Sequence, residues 1–168
     1  MSMYLDIQGI EGESQSPVTN WNKKIDVASM GYDISQRTSQ EAGSGLISSG
    51  AIFSALQISK VMDKSTPLLW GKLCGGEPID SVILRVSRPG ANSTGPAGGL
   101  FEAETYTLTN VIVTSYHTSG SPGPGGLPME SWSLAFTKMD EKYQTVDPKG
   151  ALEPQQFAGW DIAMAKGA

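Results

Sequence analysis

Residues 130–137, ESWSLAFT, set Trp132, Leu134 and Phe136 against Ser131, Ser133, Ala135 and Thr137. A period of two sends alternate side chains to opposite faces of an extended chain, so the stretch reads as a half-buried β-strand. The pattern repeats on both sides of it. Met3, Leu5 and Ile7 alternate with Tyr4, Asp6 and Gln8, and Leu56 and Ile58 with Gln57 and Ser59. Val82, Leu84 and Val86 alternate with Ile83, Arg85 and Ser87, and a last short run passes through Trp160, Ile162 and Met164. Residues 101–118, rich in Thr, Val and Tyr, predict one bent strand or two. In residues 23–35, KKIDVASMGYDIS, the alternation slips around Ser29 to Gly31, which predicts a bulge or a strand with both faces occupied. About eight short strands separated by turn signals predict a mainly β fold, a small antiparallel barrel or sandwich.

Three segments break the strand pattern. Residues 36–50, QRTSQEAGSGLISSG, are polar and rich in Gly and Ser, and predict a long loop between strands. Residues 89–99 and 119–128 predict turn-rich connectors. We see no internal repeat and read the chain, residues 1–168, as one domain.

A single helix is predicted over about 65–74. Ser65 or Thr66 can cap it, Pro67 suits its first turn, and Gly75-Gly76 supplies a left-handed stop. Leu69, Trp70, Leu73 and Cys74 fall four apart and predict an apolar stripe, with Cys74 as a small buried hydrophobe. A helix this short survives only by packing, so its predicted place is a flank of the barrel, covering an open end or edge.

Composition narrows the partners. The formal net charge is -5 and the sequence pI about 4.8, with no run of Lys and Arg to track phosphates, so neither nucleic acid nor an anionic membrane is an expected partner. No stretch reaches membrane-spanning length, and the N-terminus lacks the basic-then-apolar pattern of a signal peptide. One cysteine excludes an intrachain disulfide, and no metal or cofactor is expected. Catalysis lacks its groups: His117 is the only histidine, and no nucleophile elbow, phosphate loop or dinucleotide fingerprint occurs. The pairs Glu11/Glu13 and Glu102/Glu104 are spaced for one face of a strand, which leaves a glycan hydrolase open as an alternative, beside a monomeric, lectin-like binding module.

Six blocks, in order, resemble a known family. YLDIQGIEGES (4–14), KKIDVASMGYDISQ (23–36) and LQISKVMDKSTPLLWGKLCGGEPIDSVILRVSRPG (56–90) are similar to the hemolysin-coregulated protein (Hcp) family, the tube protein of type VI secretion. YTLTNVIVTSYHTSG (106–120), ESWSLAFTKMDEKYQ (130–144) and GWDIAMAKGA (159–168) resemble its C-terminal half. The most specific element is K-x-x-D-K-S-T-P-L-L, Lys60 to Leu69.

The resemblance implies a non-enzymatic subunit, a small β-barrel with one flanking helix, assembled as a homohexameric ring. Rings stack into a tube inside a contractile sheath. Contraction exports the tube from the cytoplasm without a signal peptide, together with effectors carried in its lumen. Partners so implied are further copies of the chain, the sheath, VgrG-like tip proteins and secreted effectors. The family's ring-stacking loop falls on Gln36, Arg37, Thr38, Ser39, Gln40, Glu41, Ser44, Leu46 and Ile47. Its lumen strand falls on Ser29 and Gly31, and its structural helix on Ser65, Pro67, Leu69, Trp70 and Leu73.

Overall fold

The alternating stretch is a strand, Met129–Ala135, with Trp132 and Leu134 fully buried. The computed structural model describes residues 1–16, 18, 20–41, 43, 45–90, 100–120, 126–147 and 151–167. In chain order the strands are β1 (Ser2–Ile7), β2 (Ile25–Val27), β3 (Ser29–Gly31), β4 (Ile34–Glu41), β5 (Gly45–Phe53) and β6 (Leu56–Val61). Helix α1 (Thr66–Gly75) follows, then β7 (Ile79–Pro89), β8 (Leu100–Ser119), β9 (Met129–Ala135), β10 (Lys138–Tyr143), β11 (Gln156–Asp161) and β12 (Lys166–Gly167).

Two antiparallel sheets enclose the core. One runs β12-β11-β10-β8-β7-β1-β2, and the other runs β3-β6-β9-β8. Strand β8 belongs to both: its first half pairs with β7 and β10, its second half with β9. It is one bent strand. At the hand-over Asn110 takes a φ of 51°, a left-handed conformation that Asn tolerates because its short side chain can bond locally.

The second junction is Ala28, between β2 and β3, whose N–H donates to the Ser59 carbonyl at 2.8 Å. The slip in alternation read from the sequence is this change of sheet: Ile25 and Val27 enter the core on one register, Met30 on the other. Among the described residues β2 pairs with β1 and β3 with β6. The ladder therefore stays open, and the barrel-or-sandwich expectation resolves to a sandwich. Between the sheets Leu5, Ile25, Leu56, Val82, Leu84, Leu108, Trp132 and Leu134 are buried almost completely. Apolar area removed from water stabilises at roughly 25 cal/mol per Å², so this double layer is the main source of stability.

Three expectations need correction. The polar segment 36–50 is not a loop; most of it lies in the β4–β5 hairpin. Its hydroxyl-rich side chains face water on both sides, so no apolar alternation marks it. Strand β10, KMDEKY, was not foreseen, because only Met139 turns to the core while the backbone is paired on both sides by β8 and β11. The final run is a strand through Trp160, with Ile162 in the turn that leads to β12. The predicted connectors at 89–99 and 119–128 lie largely outside the described residues.

Candidate assembly and cargo surfaces

The hairpin comes first. Strands β4 and β5 form a sheet of their own, in register from Ile34↔Phe53 to Glu41↔Gly45, with an irregularity between Gln36 and Thr38. The Gln36 amide donates to the Ser48 hydroxyl across the ribbon. The tight tip uses Gly45 at a φ of +79°, a backbone region open to glycine. Of the predicted stacking residues, Gln36, Arg37, Thr38, Ser39, Gln40 and Glu41 lie on β4, and Leu46 and Ile47 on β5. Ser44 lies outside the described residues. Leu46 is 74% exposed, and Ile34, Ile47 and Ile52 are exposed with it. At the root, Phe53 meets Phe136 edge to face, beside an apolar groove of about 190 Å³ lined by Ile34, Phe53, Met139 and Trp160.

Ser29 and Gly31 stand on β3, both exposed, on the outer side of the β3-β6-β9-β8 sheet. The Ser29 hydroxyl bonds that of Ser59 at 2.6 Å. A Cβ built on Gly31 meets nothing within 4 Å, so the glycine is not required by packing.

The structural helix differs in detail from its sequence reading. Ser65 makes no side-chain cap; its N–H donates to Asp63 Oδ1 at 3.0 Å, and its hydroxyl donates to the same oxygen. Asp63 therefore opens the helix, where a carboxylate suits the exposed N–H groups. Pro67 occupies the first turn, and Gly76 closes the helix at a φ of 63°, its N–H donating to the Leu73 carbonyl. The apolar stripe is narrower than predicted. Leu69 is buried and Leu73 packs against the core, but Trp70 is 54% exposed and Cys74 is exposed. Cys74 is therefore not a buried hydrophobe: the helix lies on the sandwich through one row only.

What holds the helix there was legible as a motif but not as a site. Lys60, wholly buried, points its ammonium at Asp63 Oδ1 (2.8 Å), Glu130 Oε2 (2.9 Å) and Thr66 Oγ1 (2.9 Å), with the Val61 carbonyl a longer fourth acceptor at 3.4 Å. Glu130, equally buried, also accepts from Tyr116 Oη at 3.1 Å, Trp132 Nε1 at 3.3 Å and Thr66 Oγ1 at 2.8 Å. Burial pushes the Glu130 carboxyl up, but the Lys60 and Thr66 hydrogen bonds, the Lys60 charge and the Trp132 N–H outweigh it, and the group sits below the usual carboxylate range. The K-x-x-D-K-S-T motif thus locks β6, the start of α1 and β9 together. The spacing signalled the helix start; Glu130, sixty-four residues from Thr66 in the chain, could be joined to it only by pairing of β6 with β9.

The residues weighed for catalysis are dispersed or engaged. Glu102 accepts from Trp21 Nε1 at 3.1 Å and pairs with Arg85, while Glu104 pairs with Arg88. Glu11 pairs with Lys23 and Lys64 outside any strand, and His117 is exposed on β8 opposite Ser131.

The profile of the family described as "Type VI secretion system effector, Hcp" matches residues 4–143. The chain belongs to the Hcp family. Hcp1 from Salmonella typhimurium is 26% identical, with a TM-score of 0.76 over 99% of this chain and 98% of that one. A type VI secretion system effector from Yersinia pestis is also 26% identical, with a TM-score of 0.66 over 95% of this chain and 99% of the other. A structure described as a type six secretion system protein shares the fold at a TM-score of 0.87 and 23% identity, each chain covered to 99%. No curated protein sequence matches. The chain is thus an Hcp-type protein of type VI secretion, and among the described residues no helix is long and apolar enough to cross a membrane.

Proposed function

We propose that this chain is a tube subunit: six copies close into a ring, rings stack, and the tube is exported on sheath contraction with effectors in its lumen. Residues 1–168 act as one domain in this reading. The hairpin is the observation that carries it. A two-stranded ribbon is marginal in water by itself, yet this one stands apart from the sandwich with open backbone edges and exposes Ile34, Leu46, Ile47 and Ile52. Such edges are a liability on a monomer and an asset when a second copy covers them. The hairpin then serves as the stacking element, and α1, which exposes Leu68 and Trp70 on either flank of the buried Leu69, gives each ring a stiff edge toward the next subunit or the sheath. A closed ring needs two different patches on each subunit, a head-to-tail contact in which the rotation closes.

The subunit works by geometry, without chemistry of its own. Its further partners are the sheath, VgrG-like tip proteins and effectors, and its path runs from cytoplasm to exterior. Negative-stain electron microscopy of the purified protein tests this. Rings or tubes are expected; isolated particles of single-chain mass under every buffer tried would overturn it.

A further inference from the structure

The sheet β12-β11-β10-β8-β7-β1-β2 runs three strands past β8, while the other sheet ends at β8. The inner face of β10 and β11 therefore has no sheet of its own chain opposite it. Register aligns Tyr106, Glu141 and Ala158 in one row of that face, and Leu108, Met139 and Trp160 in the next. An apolar sheet face is stable when a second layer covers it, and here the cover is partial. Ile34 and Phe53 reach it from the hairpin root, and Tyr32 stands edge to face on Tyr106. What is left open is the groove of about 190 Å³. Cavities that take small molecules run to about 300–1,000 Å³, so this one suits a side chain of another polypeptide. Among its described lining residues Glu141 alone is charged.

Such a groove asks for an apolar side chain with a cation close by, and α1 presents that pair. Leu68 is 51% exposed, and Lys72, one turn further on, shares its face of the helix. Lys72 pairs with Glu77 at 2.6 Å, in an exposed contact of the kind that contributes little and can be exchanged for another carboxylate. On the other flank, Trp70 shares its face with Cys74 and has no Lys or Arg beside it. The hairpin tip offers Leu46, but residues 38–48 hold no Lys or Arg. Charge complementarity thus selects the Leu68 flank. Position agrees with it. Glu130, which holds the start of α1, lies opposite Thr118, whereas β10 pairs with residues 104–109 of β8. Helix and groove sit on opposite halves of β8, as two different patches, and their meeting between copies is the head-to-tail contact that a closed ring needs.

We propose that Leu68 of one copy seats in the next copy's groove, between Phe53, Met139 and Trp160, with Lys72 against Glu141. The inference rests on the tube reading and names its ring-closing contact: of the neighbours open to α1, the adjacent subunit takes this flank. Seating Leu68 removes apolar surface of both copies from water, and the Lys72–Glu141 pair strengthens as solvent leaves the groove.

The test uses the purified full chain, with ring mass read by light scattering along a dilution series. Leu68→Asp is expected to raise the concentration at half-assembly about tenfold or more. Its midpoint in urea at single-chain concentrations is expected to stay unchanged, since the side chain is half exposed. Glu141→Lys is expected to weaken the ring likewise, and Lys72→Glu added to Glu141→Lys to recover most of the loss. Trp70→Ala is expected to leave the ring mass as it is. Ring mass unmoved by Leu68→Asp and Glu141→Lys, or no recovery in the double variant, would overturn the proposal. So would Leu46→Asp dissolving single rings as strongly as Leu68→Asp, which would put the hairpin tip in the groove. In all three outcomes the wild type still makes rings, so the tube reading stands. Wild-type protein of single-chain mass at every concentration would overturn that reading and this contact with it.

Discussion

Lys60 is the residue on which most converges. Its ammonium lies beside two carboxylates with no solvent access, so the charges are affordable only as a set. Lys60→Met leaves Glu130 buried with Asp63 nearby and no cation between them. The expected loss is about 3–5 kcal/mol, read as a lowered midpoint in urea unfolding; an unchanged midpoint would show that the cluster carries no stability. Leu69 holds the other side of the helix. Leu69→Ala should cost about 2–5 kcal/mol, and an unmoved melting curve would mean that α1 is not packed through that row. Gly31 makes the contrasting case. Its backbone is not left-handed and its surroundings are open, so Gly31→Arg should change stability by about 0.5 kcal/mol or less.

At the scale of elements, the hairpin and β10 show how little local sequence says about a strand that offers the core one side chain or none. The Thr, Ser and Gln of β4 carry no period-two apolar signal, and the ribbon is held by its ladder and by cross-strand bonds such as Gln36 to Ser48. Deleting residues 38–48 should leave single rings intact, because the sandwich ladder does not include them, while weakening the stacking of ring on ring. Intact tubes from the deleted protein, seen by electron microscopy, would rule this out. Strand β10 escaped notice for the reverse reason: charged residues can occupy a strand paired on both edges when one residue, Met139, anchors it to the core.

For the whole molecule, acid is the informative perturbation. Asp6 and Glu130 are both held below the ordinary carboxyl range. At each, burial raises the value and the cationic partners more than reverse it: Lys24 and Arg85 for Asp6, Lys60 for Glu130. Their ion pairs therefore contribute fully above the unfolded carboxyl value, about 4, and the contribution fades as pH falls through the lower folded values. Stability should be flat from neutrality down to about pH 5 and drop below about pH 4, with Lys60→Met showing a smaller acid dependence. A wild-type curve flat to about pH 2 would contradict these assignments.

How much of this was legible beforehand follows from range. Alternation at β1, β6, β7 and β9, the glycine stop and the proline of α1, and the broken phase around Ser29 to Gly31 are local properties of a few consecutive side chains. The chain order of six blocks was enough for the family. Other features belong to pairs that are distant in the chain. The Lys60–Glu130 lock, the alignment of Ser29, Ser59 and Ser131 across β3, β6 and β9, and the join of the sheets along β8 exist only once register puts residue against residue. The serines were visible as the polar half of each alternation, but a period of two tells only that a side chain faces away from the core. Which neighbours it faces is decided by strand pairing, because hydrogen-bonded ladders, and not local preference, place Ser29, Ser59 and Ser131 side by side.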